Sequence, residues 1–442
     1  MTFKRDKLSV VQSSNELMEL LHRLIEEGIY RVGDRLPPIR EIARETSLAP
    51  GTVAKAISCL VDDGTVATYG RGGTRVLEKK RVSPPRPRLF SMIPNKVAPG
   101  VLDLSNGFPD SRLFIPISAL IDLDLGHFAI NNYLTPPVLD ELETSITKRF
   151  EVGRHSMTIT NGSLEAIDRI VATSLSPGTK VGVEDPTYPP LIDILERHQM
   201  EAVPLSLDDE GVMPDSLADA LRKGIGAAIL QFRCQNPKGI TTTMRRIDEI
   251  KEVVAGEQIL IVEDDHSGLT TTTDDRSLMG CEEIEVLRVL GFSKLYGPDL
   301  RIAAIIGPSK TIEVINEDRR LGPSWTSHLI QRLLARLIDH DAKTGHNEGV
   351  ATTYRYRMLQ LIESLSGSDQ IVSWDGLNAW IPTTSESGVI ADLARAGIAA
   401  APGSIFNVTP NLSSEHIRLT TAGLSQIPDA LIEVLNRWMP VS

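Results

Sequence analysis

The stretch from residue 286 to residue 307 constrains the fold of this chain more than any other part of its sequence. An apolar run over residues 286–290 leads to Lys294, and seven residues later Arg301 begins a second apolar run that ends at residue 306. Two such runs predict strand, loop, strand, with the amine and the guanidinium held on the loop. A single loop lysine is most often a solvated surface residue, so the meaning of Lys294 depends on its neighbours in the fold.

Other strand-like runs, separated by helical patterns, occupy the rest of residues 101–442, and each ends in polar or ring-bearing residues. In chain order these are Gly162 and Ser163, Tyr188, Asn236, Asp264 with Asp265, and Lys294 with Arg301. Alternation of strands and helices predicts a mostly parallel sheet covered on both faces, with ligands at the carboxyl ends of the strands. We therefore expect an α/β body with one polar site at one edge of its sheet.

The first 80 residues follow a different pattern. Leucines at positions 17, 20, 21 and 24, with Ile25, recur at helical spacing, and Pro37-Pro38 begin a second helix. A third helix is predicted over residues 50–63, with Val53, Ile57, Leu60 and Val61 facing inward. Residues 66–69 and 74–77 alternate as a hairpin with a Gly-Arg-Gly-Gly tip. Three helices and a basic-tipped hairpin predict a winged helix-turn-helix.

Charge is distributed unevenly along the 442 residues. The formal net charge is −12, yet residues 1–81 hold 14 Lys and Arg against 11 Asp and Glu, and the remainder holds 32 against 47. A mildly basic head on an acidic body is expected when only the head contacts phosphate groups. Residues 79–100 are basic and rich in proline, which predicts a semi-stiff linker.

Cysteine content and hydropathy point to the cytoplasm. The three cysteines are scattered, without the spacing of a disulfide framework or a zinc site, so we expect reduced thiols and no metal. The first residues lack the apolar core of a signal peptide, and no run of about 18 apolar residues predicts a membrane span. We expect a cytoplasmic protein without membrane contact, associated with the nucleoid when it binds DNA.

The head resembles the GntR-type winged-helix DNA-binding domain in the segments GIYRVGDRLPPIREIA, LAPGTVAKAISCLVDDG and YGRGGTRV. That resemblance implies binding to double-stranded DNA and places five residues where the family contacts phosphates and groove edges: Arg40, Thr52, Lys55, Arg71 and Gly72. Many relatives carry arginines in the first turn of the recognition helix, where this chain has Pro50, Gly51 and Ala54. Because arginine or lysine is needed to read guanine, the base preference of this head does not follow from its sequence.

The body resembles the fold-type I aminotransferases, which bind pyridoxal 5′-phosphate (PLP), in the order of its carboxylate, lysine and arginine and in its Asn-Pro-Lys-Gly turn. The resemblance implies that Lys294 forms the Schiff base and that Asp264 pairs with the pyridinium nitrogen, with Asp264 favoured over Asp265. It further implies that Asn236 bonds the phenolic oxygen and Tyr188 stacks on the ring. The remaining cofactor residues that it implies are Gly162, Ser163, Leu164, His266, Ser293, Arg301 and Tyr133, the last reaching the phosphate of a dimer partner.

The C-terminal part resembles the PGxxF…RLxxA pair of the aminotransferases in APGSIF and HIRL. By that match Arg418 receives the carboxylate of a substrate or effector. Two residues depart from the family pattern. His266 stands where relatives usually have a tyrosine, and Gly291 stands where a phosphate-binding serine or threonine is usual.

Head, linker and body in this order resemble the MocR subfamily of GntR regulators over nearly the whole chain. The domain boundaries that we expect are 1–78 for the winged helix-turn-helix, 79–100 for the linker and 101–442 for the aminotransferase fold, divided into a large parallel-sheet part (101–320) and a smaller α/β part (321–442). The resemblance implies a PLP-binding transcription factor that forms homodimers.

Three functions remain open at this point. In the first, the body senses a small amine, an amino acid or a B6 vitamer through Schiff-base chemistry at Lys294, and this alters DNA binding. In the second, the body is an active aminotransferase and the head is an accessory. In the third, a dead pocket serves dimerisation alone, which the intact lysine, acid and arginines disfavour. The sensor is favoured because an operator-reading head needs an input, although that preference is analogy at the level of the fold.

Overall fold

The computed structural model shows two compact units, Met1–Pro84 and Pro85–Ser442. Their boundary falls inside the proline-rich segment 79–100. The residues that the structure describes are 11, 13–26, 29–31, 33–62, 65–68, 73–77, 88–89, 97–116, 135–150, 152–153, 155–281, 283–409 and 415–440.

The first unit has three helices followed by a two-stranded hairpin, as the sequence predicts. Its elements are α1 (Ser14–Glu26), α2 (Ile39–Thr46), α3 (Pro50–Asp62), β1 (Val66–Thr68) and β2 (Thr74–Val76). The strands pair antiparallel, with Val66 opposite Val76. The winged helix-turn-helix prediction is confirmed.

A small apolar core holds this unit together. Leu17 and Leu21 of α1 pack with Ile42 of α2 and with the face of α3 that contains Val53 and Leu60. The prediction that Val61 also faces inward is wrong, since its side chain is 38% exposed. Val61 lies one residue, or about 100°, past Leu60 around the helix, which places it beyond the buried face.

The second unit alternates strands and helices. Its strands are β3 (Leu102–Asp103), β4 (Ser156–Thr160), β5 (Lys180–Asp185), β6 (Glu201–Asp208), β7 (Gly211–Val212), β8 (Ile225–Leu230), β9 (Leu260–Asp265), β10 (Glu285–Gly291), β11 (Ala303–Gly307), β12 (Asn378–Pro382), β13 (Ile398–Ala399), β14 (Ala401–Pro402) and β15 (His416–Thr420). Its α-helices are α4 (Asp140–Phe150), α5 (Ser163–Ser174), α6 (Pro189–Arg197), α7 (Pro214–Arg222), α8 (Met244–Val254), α9 (Ser293–Tyr296), α10 (Ser309–Arg320), α11 (His328–Thr344), α12 (His346–Glu363), α13 (Glu386–Arg395) and α14 (Asp429–Trp438).

Eight strands form the main sheet in the order β4-β11-β10-β9-β8-β5-β6-β7. The strands β10, β9, β8, β5 and β6 pair parallel to one another. The two strands at one end, β11 and β4, and the short β7 at the other end pair antiparallel with their neighbours. The predicted mostly parallel sheet of a fold-type I aminotransferase body is confirmed.

The strands β8, β9 and β10 in the middle of the sheet are buried on both faces, so they read as continuous apolar runs. Successive residues of β9 illustrate this, because Ile261 packs with α7 and α8 while Val262 packs with α5 and α6 on the opposite face. Near the other end of the sheet, Ile306 of β11 packs with residues of α4 and α11. Side chains that alternate between two apolar cores account for the absence of polar alternation in these runs.

A second sheet lies in the C-terminal part. It has the order β12-β15-β14, with Trp380 opposite Arg418. The first strand of the body, β3, pairs with β13 from that same part. Leu104, which follows β3, joins the apolar core there. Residues 105–110 are therefore carried from the C-terminal part toward the main sheet. Among the described residues, no helix combines the length and hydropathy that crossing a membrane requires.

Candidate functional site

One edge of the main sheet collects the polar residues predicted from the sequence. The strands β5, β8, β9 and β10 are parallel and end at this edge. Because β11 is antiparallel to β10, and β4 to β11, β11 begins at this edge and β4 ends there. The side chains that follow five of these strands, and those that precede β11, are thereby brought within one small region.

That region contains a cavity of about 200 Å³. Eleven predicted site residues line it: Gly162, Ser163, Leu164, Tyr188, Asn236, Asp264, His266, Ser293, Lys294, Arg301 and Arg418. Tyr133 lies outside the described residues. The structure thus brings together in space every predicted cofactor and carboxylate residue whose position it describes.

Lys294 lies in a single helical turn, α9, and not in the predicted loop. Four residues are too few for a helical period to be visible in the sequence. The amine Nζ of Lys294 is 3.3 Å from Nδ1 of His266. Burial, and after it the positive charge of Arg418, lower the pKa of Lys294 to about 8, against the opposing charge of Asp264. A substantial fraction of this lysine is therefore neutral and nucleophilic at physiological pH.

The two neighbouring aspartates at the end of β9 have different environments. Asp265 accepts hydrogen bonds of 2.5 Å from both Arg233 and Arg288. Although burial opposes them, these guanidinium groups hold the pKa of Asp265 well below its usual range. Asp264 accepts a 2.6 Å bond from the Nε2 amide of Gln231 through Oδ2, and its buried Oδ1 has no partner among the described residues. Only Asp264 therefore retains an acceptor for a ligand.

The part of the cavity at the start of α5 is suited to an anion. Ser163 is the first residue of α5, so its backbone amide and hydroxyl lie at the positive end of a twelve-residue helix. Gly162 has φ 101°, and a Cβ there would lie 3.8 Å from Cζ of Arg301. Arg301 itself has φ 47°, a backbone conformation that is uncommon outside glycine. A Cβ at Gly291 would come within 2.6 Å of Oγ of Ser163, so the Ser163 hydroxyl occupies the space that a side chain at 291 would need.

Arg418 of β15 also lines the cavity. Its side chain is almost completely buried, and Nη1 donates a 3.0 Å hydrogen bond to Oδ1 of Asn236. Nη2 donates to the backbone oxygen of Ser105, and the guanidinium lies 4.8 Å from the ring centre of Phe406. Burial lowers the pKa of Arg418 to about 10, so the group stays cationic at neutral pH.

Some lining residues were missed in the sequence. Gln231 follows β8, and Asn106, Gly107, Phe108 and Pro109 come from the segment after β3. Gln231 offered a signal, since it is the first polar residue after an apolar strand, at the edge where the other site residues lie. The 106–109 segment offered none, because its position depends on the pairing of β3 with the distant β13.

In the first unit, three of the five predicted DNA contacts fall on described residues. Arg40 is exposed on the first turn of α2, and Lys55 is exposed on α3. Thr52, one turn before Lys55, is partly exposed. Arg71 and Gly72 lie outside the described residues. The three predicted contact residues that the structure describes therefore lie on the two helices that form the helix-turn-helix.

The residues of the cavity fit a phosphorylated pyridine aldehyde. The acceptor Oδ1 of Asp264 needs a donor, which a protonated ring nitrogen would be. The glycine at 162 leaves the helix N-terminus open beside Arg301, which suits a phosphate. The amine of Lys294 lines the same cavity and can attack a carbonyl carbon.

Comparison with known proteins agrees with this fit. Residues 100–429 match the model of aminotransferase class I and II, and residues 13–76 match that of bacterial regulatory proteins of the gntR family. The chain belongs to the class I and II aminotransferase family and carries a GntR helix-turn-helix domain at its N-terminus, which is the MocR-type arrangement. The cofactor of such a body is PLP, and the GntR domain binds operator DNA.

Two of the similar proteins are, by name, transcriptional regulators of vitamin B6 salvage and of pyridoxine biosynthesis. The chain is 29% identical to the vitamin B6 salvage pathway transcriptional repressor PtsJ of Salmonella typhimurium, over 96% of this chain and 99% of that protein. It is 22% identical to the pyridoxine biosynthesis transcriptional regulator PdxR of Corynebacterium glutamicum, over 77% and 76% respectively. Among solved structures, LysN, an α-aminoadipate aminotransferase from Thermus thermophilus complexed with N-(5′-phosphopyridoxyl)-L-leucine, superimposes with a TM-score of 0.67 at 21% identity, over 77% of this chain and 91% of that one.

Proposed function

We propose that this protein is a PLP-dependent transcriptional regulator of vitamin B6 metabolism, in which the body senses a B6 vitamer, or an amine that reacts with it, and alters operator binding by the head. One observation carries the proposal. A complete lysine, aspartate and arginine site lies in the same chain as a helix-turn-helix unit, in the arrangement shared over nearly full length with a B6 salvage repressor. Sensing by exchange of amines needs both parts.

We assign the roles of the cavity residues from the family resemblance, and their contacts support the assignment. When bound, PLP supplies an aldehyde that condenses with amines and a ring that withdraws electrons. Lys294 holds the cofactor through its amine. Asp264 would accept a hydrogen bond from the protonated ring nitrogen through Oδ1, which has no partner among the described residues. Asn236 and Tyr188 contact the ring, and His266 contacts the lysine.

The start of α5 and Arg301 would hold the phosphate. The backbone amides of Ser163 and Leu164, the Ser163 and Ser293 hydroxyls and the Arg301 guanidinium would supply its donors. Gly162 has no side chain beside Arg301. Arg418 would receive the carboxylate of an amino acid effector, because it is a buried cation that lines the same cavity.

His266 and Gly291 favour sensing over turnover. Transamination requires Lys294 to move a proton between the substrate carbon and the cofactor, and a small misplacement of the ring reduces such a rate by about 10²-fold. The His266 contact of 3.3 Å to the lysine and the missing side chain at 291 both affect that geometry. The second candidate is an active aminotransferase. One observation favours it: Lys294 and Arg418 line the same cavity.

On the DNA side, Arg40, Thr52, Lys55, Arg71 and Gly72 contact phosphates and groove edges. The protein acts as a homodimer, in which Tyr133 reaches the partner's phosphate site and two heads bind paired half-sites. The effector shifts an equilibrium between two arrangements of the dimer. The change in operator affinity is therefore limited by how much more tightly the effector binds one arrangement than the other.

A capture experiment tests the proposal. Protein incubated with PLP and reduced with borohydride should carry a phosphopyridoxyl group on Lys294, seen by peptide mass spectrometry, and Lys294→Ala should not. Lys310→Ala is the matched control, since Lys310 is an exposed lysine outside the cavity. Adduct on Lys238 or Lys310 in place of Lys294 would contradict the site assignment.

DNA binding and turnover are then measured on the same protein. Operator affinity should change when PLP or an amine is added to the wild-type protein, and should not change in Lys294→Ala. If the wild-type protein binds the operator with the same affinity in the presence and absence of PLP and amine, the regulatory proposal fails. Sustained conversion of an amino acid and a keto acid at about 1 s⁻¹ or faster would favour the enzyme instead.

A further inference from the structure

Gln231 lines the cavity and makes hydrogen bonds to three other residues. It is 2% exposed and follows directly after β8. Its backbone N–H donates to Oε1 of Glu184 at 3.0 Å, and its side-chain Nε2 donates to Oδ2 of Asp264 at 2.6 Å. Its side-chain Oε1 accepts from the backbone N–H of Asn236 at 2.8 Å.

The orientation of the Gln231 amide is determined by these partners. The backbone N–H of Asn236 can only donate, so the atom that faces it must be the oxygen. The nitrogen then faces Asp264, whose carboxylate oxygen accepts. A glutamine held by one obligate donor and one acceptor has no satisfactory flipped state.

The bond to Asp264 has a clear consequence for the cofactor site. Burial raises the pKa of Asp264 to about 6, and the hydrogen bond from Gln231 and the charge of Lys294 oppose that rise. Of the remaining charged groups facing it, Asp265 adds to the rise and Glu184 is a second buried acid. Gln231 thus stabilises the charged form of Asp264 and, by engaging Oδ2, leaves Oδ1 for the ligand.

Glu184 fixes Gln231 from behind. This buried acid at the end of β5 accepts the Gln231 backbone N–H through Oε1 and the Nε2 group of Gln235 through Oε2, at 3.2 Å. Asn236, which Gln231 also holds, bonds Arg418 through its side chain. A continuous chain of hydrogen bonds therefore runs from Asp264 through Gln231 and Asn236 to Arg418.

We propose that Gln231 is a positioning residue. It orients Asp264 toward the ring nitrogen of the cofactor and fixes the position of Asn236 relative to Asp264. This inference rests on the proposed function, because it assumes that the cavity binds PLP. By this inference, Gln231 couples Asp264, which contacts the ring nitrogen, to Arg418, which binds the carboxylate.

Two variants of Gln231 separate positioning from packing. Gln231→Met keeps the length of the side chain and removes both side-chain bonds. Gln231→Glu keeps an acceptor for Asn236 and, when ionised, replaces the donor to Asp264 by a second negative charge. Loss of a hydrogen bond to a charged group predicts that both variants bind PLP about tenfold more weakly or worse. Gln331→Met is the matched control, since Gln331 is fully buried, makes three hydrogen bonds and lies outside the cavity.

The second readout is the pH midpoint of the near-visible absorbance of bound PLP. A charged Asp264 holds the ring nitrogen protonated, and that proton disfavours a second proton on the same conjugated system. Because Gln231→Met removes the hydrogen bond that favours the charged form of Asp264, the midpoint should move to higher pH. Gln331→Met should lower thermal stability and leave the midpoint unchanged.

The outcomes distinguish this inference from the proposed function. Wild-type affinity in Gln231→Glu with weak binding in Gln231→Met would show that only the Asn236 contact matters, and would overturn the role of Gln231 toward Asp264. Wild-type affinity and midpoint in both variants would overturn the inference entirely, while capture at Lys294 would leave the proposed function intact. If wild-type protein does not capture PLP at Lys294, the proposed function itself fails.

Discussion

Nζ of Lys294 lies 3.3 Å from Nδ1 of His266. Burial, followed by the charge of Lys294, holds the pKa of His266 well below its usual value, so the imidazole is neutral. While the lysine is charged it can only donate, and Nδ1 must then be the acceptor. The contact therefore favours the ammonium form of Lys294, whereas burial and Arg418 favour the amine.

These opposing influences predict opposite shifts in two variants. Covalent capture of PLP by the wild-type protein should increase with pH around a midpoint near the Lys294 pKa of about 8. Arg418→Gln removes a positive charge and should raise that midpoint, while His266→Phe removes the acceptor and should lower it. Capture rates measured from pH 6 to 10 by borohydride quenching would test this, with Lys310→Ala as control. Shifts in the same direction would contradict the arrangement.

The contact between positions 163 and 291 predicts a non-additive pair. Gly291→Ala would place a Cβ 2.6 Å from Oγ of Ser163, and overpacking of this kind destabilises by about 1–3 kcal/mol. Ser163→Ala removes the contacted atom, so the double variant should recover most of that loss in urea unfolding. Its PLP affinity should remain low, because the phosphate loses a hydroxyl. Additive losses of stability would show that the two residues do not compete for space.

The sequence predicts β5, β8, β9, β10 and β11 well because these strands are buried on both faces and appear as apolar runs with a polar end. It predicts the residues at those ends for the same reason. It does not predict the helical turn at Lys294 or the segment around Phe108, which is 63% exposed. The first is too short to show a period, and the second is placed by the pairing of β3 with β13, a contact between parts of the chain about 300 residues apart.

Lys55 on α3 predicts an electrostatic effect on DNA binding. If it contacts one phosphate, Lys55→Ala should weaken binding to all sequences by a similar factor and reduce the salt slope by about one unit. Affinity for an operator fragment and for random DNA, each measured from 50 to 300 mM salt, gives both quantities. Lys251→Ala, on α8 of the acidic body, should change neither. A loss confined to the operator would instead mean that Lys55 reads a base.

Glu184 predicts a stability that falls as pH rises. Burial raises its pKa from the usual 4.5 to about 8 in the folded protein. Between these values the folded state holds a proton that the unfolded state has lost, so the contribution of this group is complete below pH 4.5 and disappears as pH rises through 8. Glu184→Gln keeps an oxygen to accept the N–H of Gln231 and cannot ionise. The free energy of unfolding of the variant relative to wild type should therefore increase by about 1.4 kcal/mol for each pH unit across this window. Urea unfolding at pH 5, 6, 7 and 8 measures the difference, and Gln331→Met, a buried change without a titrating group, should show a constant offset. A constant offset for Glu184→Gln as well would mean that Glu184 is ionised in the folded protein at neutral pH.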